Sequence, residues 1–150
     1  MATVTKFVDG QNNPAVGGHP AVSGLQSVLN VVSNTIDFSL TGQGVNLSDT
    51  VQALKIAAGS LVINVGVTII TAEGATSTCT VGDGDGTNSW DASVDLNAAA
   101  NTETLGAPGT DTYATTGKYY ASADTIDLVV SSDRNLSVGK IKVYAYFLMI

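Results

Sequence analysis

The sequence predicts an all-β protein: an antiparallel β-sandwich or jelly roll with an extended arm at its N-terminus. Apolar and polar residues alternate over most of the chain, which is the pattern of strands with one buried face. Gly, Asn, Asp and Ser cluster between these stretches, where they favour tight turns. Short strands joined by such turns are typical of sandwiches and jelly rolls. The 150 residues suffice for one domain with a sizeable core.

The clearest strand is predicted in residues 61–72. Strict alternation would place on one face Leu61, Ile63, Val65, Val67 and Ile69. The other face would carry Val62, Asn64, Gly66, Thr68 and Ile70. Because the first face is wholly apolar and the second is half apolar, the pattern indicates a central strand of a sandwich. Shorter alternating stretches predict further strands at 2–8, 34–40, 51–56, 76–81, 93–96 and 123–131.

The N-terminal third differs in composition from the rest, which divides the chain into an arm at residues 1–33 and a sandwich domain at residues 34–150. Residues 9–24 hold four glycines and two of the three prolines, which suits an extended arm or linker rather than a core. Only Ser23–Ser33 shows helical spacing of its apolar residues, so a helix and an irregular arm are both open there. The residues that give this spacing are Leu25, Val28, Leu29 and Val32.

The chain ends in KIKVYAYFLMI, which is apolar on both faces of the predicted strand. One face holds Ile141, Val143, Ala145, Phe147 and Met149, and the other holds Tyr144, Tyr146, Leu148 and Ile150. A strand of this kind belongs in the middle of a sheet or against a neighbouring subunit, whereas chain termini are usually loose and polar. We therefore predict that Tyr144, Tyr146, Leu148 and Ile150 form an interface between subunits of a homotrimer.

The low charge of the chain argues against several partners. Only 13% of the residues are charged, against about 25% in an average domain, and the net charge is −7. Binding to nucleic-acid phosphates needs clustered Lys and Arg, but the six basic residues are scattered. The longest apolar run, residues 61–72, is too short to cross a bilayer, and the N-terminus has no secretory signal. We expect no nucleic acid or membrane as a partner, and synthesis in a cytoplasm.

The stretch TVGDGDGTNSWDASVDLN, residues 80–97, is the candidate for chemistry. It departs from an EF-hand loop at the glycine and glutamate positions, so a calcium site would be of another kind, with Asp83, Asp85 and Asp91 as ligands. Paired carboxylates could also serve glycoside hydrolysis, with Trp90 stacking on the sugar. The favoured interpretation is a tight turn whose aspartates accept backbone N–H bonds. We therefore expect no catalytic residues, no cofactor and no metal.

Two other side chains with reactive groups carry no predicted site. Cys79, the only cysteine, alternates with polar neighbours and is interpreted as a small buried apolar residue. His19, the only histidine, lies in the arm, so a catalytic triad or a histidine metal cluster would depend entirely on that segment.

Several motifs together resemble those of one family. They are the turn IAAGSLV, the hairpin TAEGAT, the connection VGDGD…VDLN and the closing pair GKYY…DTIDL…GKIKVYA, within residues 48–148. In these the chain is similar to small head decoration (cement) proteins of tailed bacteriophages. The resemblance implies a jelly-roll trimer bound to the major capsid protein on the capsid surface, made in the cytoplasm of the bacterial host. It implies no catalytic residue, and it does not reach the arm, which is expected to contact the capsid or other subunits.

A second interpretation is a carbohydrate- or receptor-binding head of a phage fibre. In that protein Trp90 and Tyr113 would stack on sugar rings. A hydrolytic or calcium-dependent sandwich domain is a third interpretation.

Overall fold

The computed structural model describes residues 3–6, 29–40, 45–107, 110–131 and 135–150. The strands in these ranges are Thr3–Lys6 (β1), Asn30–Asp37 (β2), Thr50–Ile56 (β3), Ser60–Thr71 (β4), Thr78–Asp83 (β5), Gly86–Asp95 (β6), Glu103–Leu105 (β7), Lys118–Tyr120 (β8), Asp124–Val130 (β9) and Lys140–Met149 (β10). A short helix, Thr112–Thr116 (α1), precedes β8. No helix in the described ranges has the length and apolar character needed to cross a membrane.

The strands form two antiparallel sheets. The first sheet has the order β1-β2-β10-β4, and both β7 and β8 pair with the remaining edge of β4. The second sheet has the order β3-β9-β5-β6. The chain passes from one sheet to the other between β2 and β3, β3 and β4, β4 and β5, β6 and β7, β8 and β9, and β9 and β10. A sheet of β2-β10-β4-β8 facing a sheet of β3-β9-β5-β6 is a jelly roll, which confirms the predicted fold class.

The core fills the space between the two sheets. The first sheet contributes buried side chains from its central strands, at alternate positions except between Val62 and Val65: Val62, Val65, Val67, Ile69, Ile141, Val143 and Ala145. The second sheet contributes Leu54, Ile56, Val81, Ile126, Leu128 and Val130. Each Val, Leu or Ile side chain among these stabilises the fold by about 1.5–3 kcal/mol when it is fully withdrawn from water. The core is thus formed by apolar residues of the alternating sequence pattern.

Strand β4 departs from the predicted alternation at a β-bulge. Ile63 has no partner of its own in β10, so the strand carries one extra residue there. The prediction that Leu61 and Ile63 share a face with Val65 is therefore wrong: Val62 points into the core, and Ile63 lies on the outside. A bulge shifts the two-residue period by one position, which exchanges the faces on its two sides. Asn64 marks the site, because its Oδ1 accepts a hydrogen bond from the N–H of Val65 at 2.7 Å.

The sandwich begins earlier than the predicted boundary. Strand β2 starts at Asn30, because Asn30–Ser33 pair with β10, and Val32 is buried in the core. These residues are extended, so the helical alternative for Ser23–Ser33 is wrong for its last four residues. Strand β1, which falls in the predicted arm, pairs with β2. Residues 7–28, which include His19 and most of the predicted arm, lie outside the described residues.

Candidate functional site

The acidic stretch forms the β5–β6 hairpin. Strand β5 ends at Asp83, which pairs with Gly86 across a two-residue turn. One carboxylate oxygen of Asp83 accepts hydrogen bonds from the backbone N–H groups of Asp85 and Gly86 at 3.0 and 3.3 Å. Gly82 is required beneath this turn, since a Cβ atom there would lie 1.9 Å from the carbonyl oxygen of Gly86. Aspartate therefore serves here as a turn residue, which is the role that the sequence favoured.

The other oxygen of Asp83 joins a buried cluster, which we call the Asp83 network: Asp83, Trp90, Lys118 and Tyr120. The Asp83 side chain is completely buried. Its Oδ2 accepts hydrogen bonds from Lys118 Nζ at 2.7 Å and from the Tyr120 hydroxyl at 2.6 Å. Trp90 Nε1 donates in turn to the Tyr120 hydroxyl oxygen at 3.2 Å. Together with the two turn N–H groups, the carboxylate has four donors, as a buried charge requires.

Lys118 completes the charge balance of this cluster. Its Nζ also lies 2.7 Å from Oδ2 of Asp85, which is largely exposed, and 4.7–4.8 Å from the ring centres of Tyr113 and Tyr120. Burial opposes the charge on Lys118, but its bonds to Asp83 and Asp85 prevail and hold its pKa well above the ordinary value. Burial likewise opposes ionisation of Asp83, yet the bonds from Lys118 and Tyr120 lower its pKa. Both groups are therefore charged at neutral pH.

The three calcium candidates are not brought together. Asp83 and Asp85 share the Lys118 ammonium group, whereas Asp91 accepts a hydrogen bond from the N–H of Ser93 at 2.9 Å. Burial raises the pKa of Asp91, and the nearby carboxylate of Asp111 adds to the effect. Across the part of the chain that the structure describes, no group of three or more His, Cys, Asp or Glu side chains could hold a metal ion. An ammonium group therefore occupies the position between Asp83 and Asp85.

Trp90 does not form the exposed sugar-stacking surface that the sequence suggested. Trp90 is completely buried and forms a T-shaped contact with the Tyr113 ring at a centroid distance of 5.4 Å. An indole in the core cannot stack on a sugar, so the assignment of Trp90 to this role is wrong. The packing of β6 against α1, together with the hydrogen bond from Trp90 to Tyr120 of β8, explains its burial. Cys79 is buried as predicted, and burial, assisted by Asp91, raises the pKa of its thiol to about 12.

Strand β10, which carries the predicted interface residues, lies between β2 and β4 in the middle of the first sheet. This confirms one of the two positions expected for a strand that is apolar on both faces. Tyr144 is covered by its own chain: its ring lies over Gly66, where a Cβ atom would be 2.4 Å from Cζ, and its hydroxyl donates to Glu103. Leu105 packs beside the same glycine. The remaining predicted residues are open to solvent in part, most of all Ile150.

The outer surface of the first sheet carries a row of large apolar side chains. Leu148 is opposite Leu61, and Leu61 is opposite Tyr119 on β8. On the other side Leu29 directly precedes Asn30, the partner of Phe147, so Leu29 extends the row across β2. An adjacent row contains Val31 and Tyr146, which pair with each other, and Ile63. We call this surface the apolar face; it comprises Leu29, Val31, Leu61, Ile63, Tyr119, Tyr146 and Leu148.

Sequence reasoning found only Tyr146 and Leu148 in this set as interface residues. It missed Leu61 and Ile63 because the bulge in β4 reverses their direction. The one available signal was the polar Asn64 within an otherwise apolar strand. Tyr119 was missed because its exposure depends on the pairing of β8 with β4.

Charge is divided unequally between the two sheets. The strands of the first sheet contain the lysines Lys6, Lys118, Lys140 and Lys142 and the acids Asp37 and Glu103. The strands of the second sheet contain one lysine, Lys55, and the acids Asp83, Asp91, Asp95, Asp124 and Asp127. Within the first sheet, the register places Lys140 and Lys142 towards the end remote from the Leu148 row. The apolar face itself contains no Asp, Glu, Lys or Arg.

The fold is similar to that of chains in three solved phage capsids. A chain of the capsid structure of Helicobacter pylori bacteriophage KHP30, described as acid-stable, matches with a TM-score of 0.56 and 15% identity over 100% of this chain and 95% of its own length. A chain of the cyanophage Pam1 capsid asymmetric unit matches with a TM-score of 0.59 and 15% identity over 81% and 85%. A chain of the Ralstonia phage GP4 capsid matches with a TM-score of 0.51 and 13% identity over 80% and 84%.

No protein-family model matches the sequence, and no curated protein matches it significantly. At 13–15% identity, the structural likenesses establish a shared fold, the jelly-roll sandwich of chains found in phage capsids.

Proposed function

We propose that this chain is a non-enzymatic structural protein of a tailed-phage virion, which decorates and stabilises the capsid as a homotrimer bound to the major capsid protein. The observation that carries the proposal is the jelly-roll fold that the chain shares with chains of three phage capsids, over four fifths or more of its length. The exposed apolar face supports it, because large apolar patches on a protein surface mark contacts with other proteins.

The ionisable groups support a structural role. A catalytic carboxylate needs an open side facing substrate and a pKa suited to proton transfer. Asp83 is instead enclosed, fully hydrogen-bonded and held in its charged form by Lys118. The Cys79 thiol is buried, and its raised pKa keeps it protonated at neutral pH. In this proposal these groups stabilise the sandwich and perform no chemistry.

The alternative of a fibre head is less well supported. Its strongest sequence signal was Trp90, which lies in the core. Tyr113 remains half-buried, with one side in contact with Trp90 and Lys118.

Co-sedimentation tests the proposal directly. Undecorated capsids of the parent phage are incubated with the full-length protein and pelleted in low salt and in molar salt. We expect the protein to pellet with the capsids in both, because a contact with few charges depends little on screening. Recovery of all the protein in the supernatant in low salt would refute the proposed role. Release in molar salt alone would show that the contact is electrostatic.

We further propose that the Gly- and Pro-rich part of the arm makes much of the capsid contact. The appropriate variant lacks residues 9–24 and retains β1 and β2, because a chain that starts at Asn34 would lose the first half of β2 and the buried Val32. Ordering an arm costs about 1–2 kcal/mol per residue, so three arms that bind together are needed to offset it. We expect the deletion to reduce co-sedimentation strongly while the mass of the free protein stays trimeric. Equal binding by both proteins would exclude the arm as the anchor.

A further inference from the structure

The apolar face is left largely uncovered by the described chain. Tyr119 on β8 and Ile63 in the bulge of β4 are 53% and 42% exposed, and Leu29 beside β2 is exposed to a similar degree. On the buried side of the same strands, by contrast, Val62 and Val65 are almost completely covered. The face is contiguous, since hydrogen-bonded pairing holds Leu148 against Leu61, and Leu61 against Tyr119. It is therefore a patch rather than a scatter of single exposed residues.

We infer that the apolar face is the contact between copies of this chain, and that it lines the three-fold axis of the trimer instead of resting on the capsid. Only the number of copies, three, is taken from the proposed function. The inference changes the composition of the predicted interface: Tyr144 is removed, because its own chain covers it, and Ile150, which follows the end of β10, is not part of the face. The residues added are Leu29, Val31, Leu61, Ile63 and Tyr119. Tyr146 and Leu148 remain.

Charge selects a second copy as the occupant. Each chain carries a net charge of −7, so copies repel each other unless they meet where acids are absent. The outside of the second sheet includes Asp95 and Asp127, and two copies brought together there would face each other with like charges. The apolar face contains no acid, and Lys118, which precedes Tyr119, is directed to Asp83. Further along the outer side of the sheet lie Lys142 and Glu103. Because these have opposite signs, the rim of one copy complements the rim of another.

The composition of the face fits a permanent contact between like subunits. The cores of such interfaces are depleted in charged residues and enriched in aromatic and large aliphatic ones, and contacts between permanently associated subunits are the most apolar. The face provides two tyrosines, three leucines, one isoleucine and one valine. The Lys142 side chain is exposed, and none of the ion pairs among the described residues involves it. It is thus available to an acid of a neighbouring copy.

In a three-fold arrangement, the two ends of the apolar face would contact different neighbouring copies. Around a closed three-fold axis each copy meets two neighbours through different parts of its surface. The row from Leu29 to Tyr119 crosses β2, β10, β4 and β8, which are spaced about 4.8 Å apart. The β2 end, with Leu29 and Val31, would pack against the β8 end of the next copy, with Tyr119 and Leu61. Leu148, in the middle of the row, would lie nearest the axis.

The test compares two double substitutions of equal charge and exposure. Ile63→Lys/Tyr119→Lys alters the apolar face, and Leu47→Lys/Val138→Lys is the matched control, since Leu47 and Val138 are 47% and 53% exposed and lie in loops outside the face. Mass is measured by light scattering at micromolar concentration, folding by circular dichroism, and capsid binding by co-sedimentation. We expect the face variant to have about one third of the wild-type mass with an unchanged β-sheet spectrum, because a charge buried in an interface opposes association. The control stays trimeric.

A milder variant maintains the test if the double substitution prevents folding. Tyr119→Ser removes one exposed ring and should raise the concentration at which the trimer dissociates by tenfold or more. A wild-type monomer, or a trimer that survives both face variants, would overturn the inference. If the face variant stays trimeric and fails only to bind capsids, the capsid covers the face and the inference is wrong. If the wild type is a trimer that the face variant dissociates, but neither wild-type protein nor control binds capsids, the inference stands and the proposed function fails.

Discussion

Two aspartates that share one lysine should differ greatly in their effect on stability. Asp83 and Asp85 each place a carboxylate oxygen 2.7 Å from Lys118 Nζ, but the first side chain is completely buried and the second is 74% exposed. Asp83→Ala removes the acceptor for Lys118, for the Tyr120 hydroxyl and for two turn N–H groups. Asp85→Ala removes only one contact of Lys118 that solvent already screens.

The burial of these contacts sets the expected magnitudes. Removing one partner of a buried ion pair typically costs about 3–5 kcal/mol, because the other charge stays buried without compensation. An exposed ion pair contributes about 0–1 kcal/mol. With about 2–4 °C of melting temperature per kcal/mol in a chain of this length, Asp83→Ala should lower Tm by about 6–20 °C, and Asp85→Ala by at most about 4 °C.

Thermal and urea unfolding at one fixed protein concentration measure the difference in stability between the two variants, since Tm of an oligomer depends on concentration.

The pH dependence of stability gives a second check. The pKa of Asp83 is lowered in the fold, so its stabilisation is present above the unfolded pKa of about 3.9 and is lost as pH falls through the lower folded pKa. Wild-type protein should therefore lose more stability than Asp83→Ala on acidification below about pH 4. Equal destabilisation by the two substitutions at pH 7 would refute the importance of burial.

Three further outcomes are expected. Asp127→Asn should raise Tm at pH 7. Burial, with Asp124 and Asp83 nearby, raises the pKa of Asp127, and its Oδ1 has no hydrogen-bond partner among the described residues, so the charged form destabilises the fold. The gain in Tm should disappear as pH falls through the folded pKa of Asp127 towards the unfolded value of about 3.9. EDTA should leave Tm unchanged, since Lys118 bridges Asp83 and Asp85; a decrease that calcium reverses would contradict this. Cys79 should react with a thiol reagent in urea but hardly at all in the native protein, and rapid native labelling would show that the core opens readily.

The fold could be predicted from the sequence because two-residue alternation is local information. In β9 the two-residue spacing of Ile126, Leu128 and Val130, flanked by polar residues on the other face except for Val129, gives the correct inward face directly. The same rule fails in β4, because a bulge is fixed by how two strands fit together and not by either strand alone. The predicted faces of Leu61, Val62 and Ile63 are therefore exchanged, and part of the exposed surface was predicted to be buried.

The Asp83 network could not be predicted for a different reason. Asp83 and Lys118 are 35 residues apart, and only the packing of β8 next to the β5–β6 hairpin brings them together. The sequence identifies Asp83 as a turn residue through its neighbouring glycines, which is correct for one of its two oxygens. Its second oxygen, and the burial of Trp90 beside it, depend on contacts between distant strands.

The C-terminal strand shows why point substitutions, and not truncation, are needed to test the assembly. Phe147 packs against the core, Met149 pairs with Ser60, and the N–H of Ile150 donates to the carbonyl oxygen of Gly59 at 2.9 Å. Deletion of residues 147–150 would therefore remove part of the fold together with part of the apolar face, and aggregation of the shortened chain would follow from either loss. Tyr119 belongs to the short strand β8 at the edge of β4 and is more than half exposed. A change there alters the surface while the core contacts of β10 are preserved, so an effect on mass can be assigned to the contact between copies.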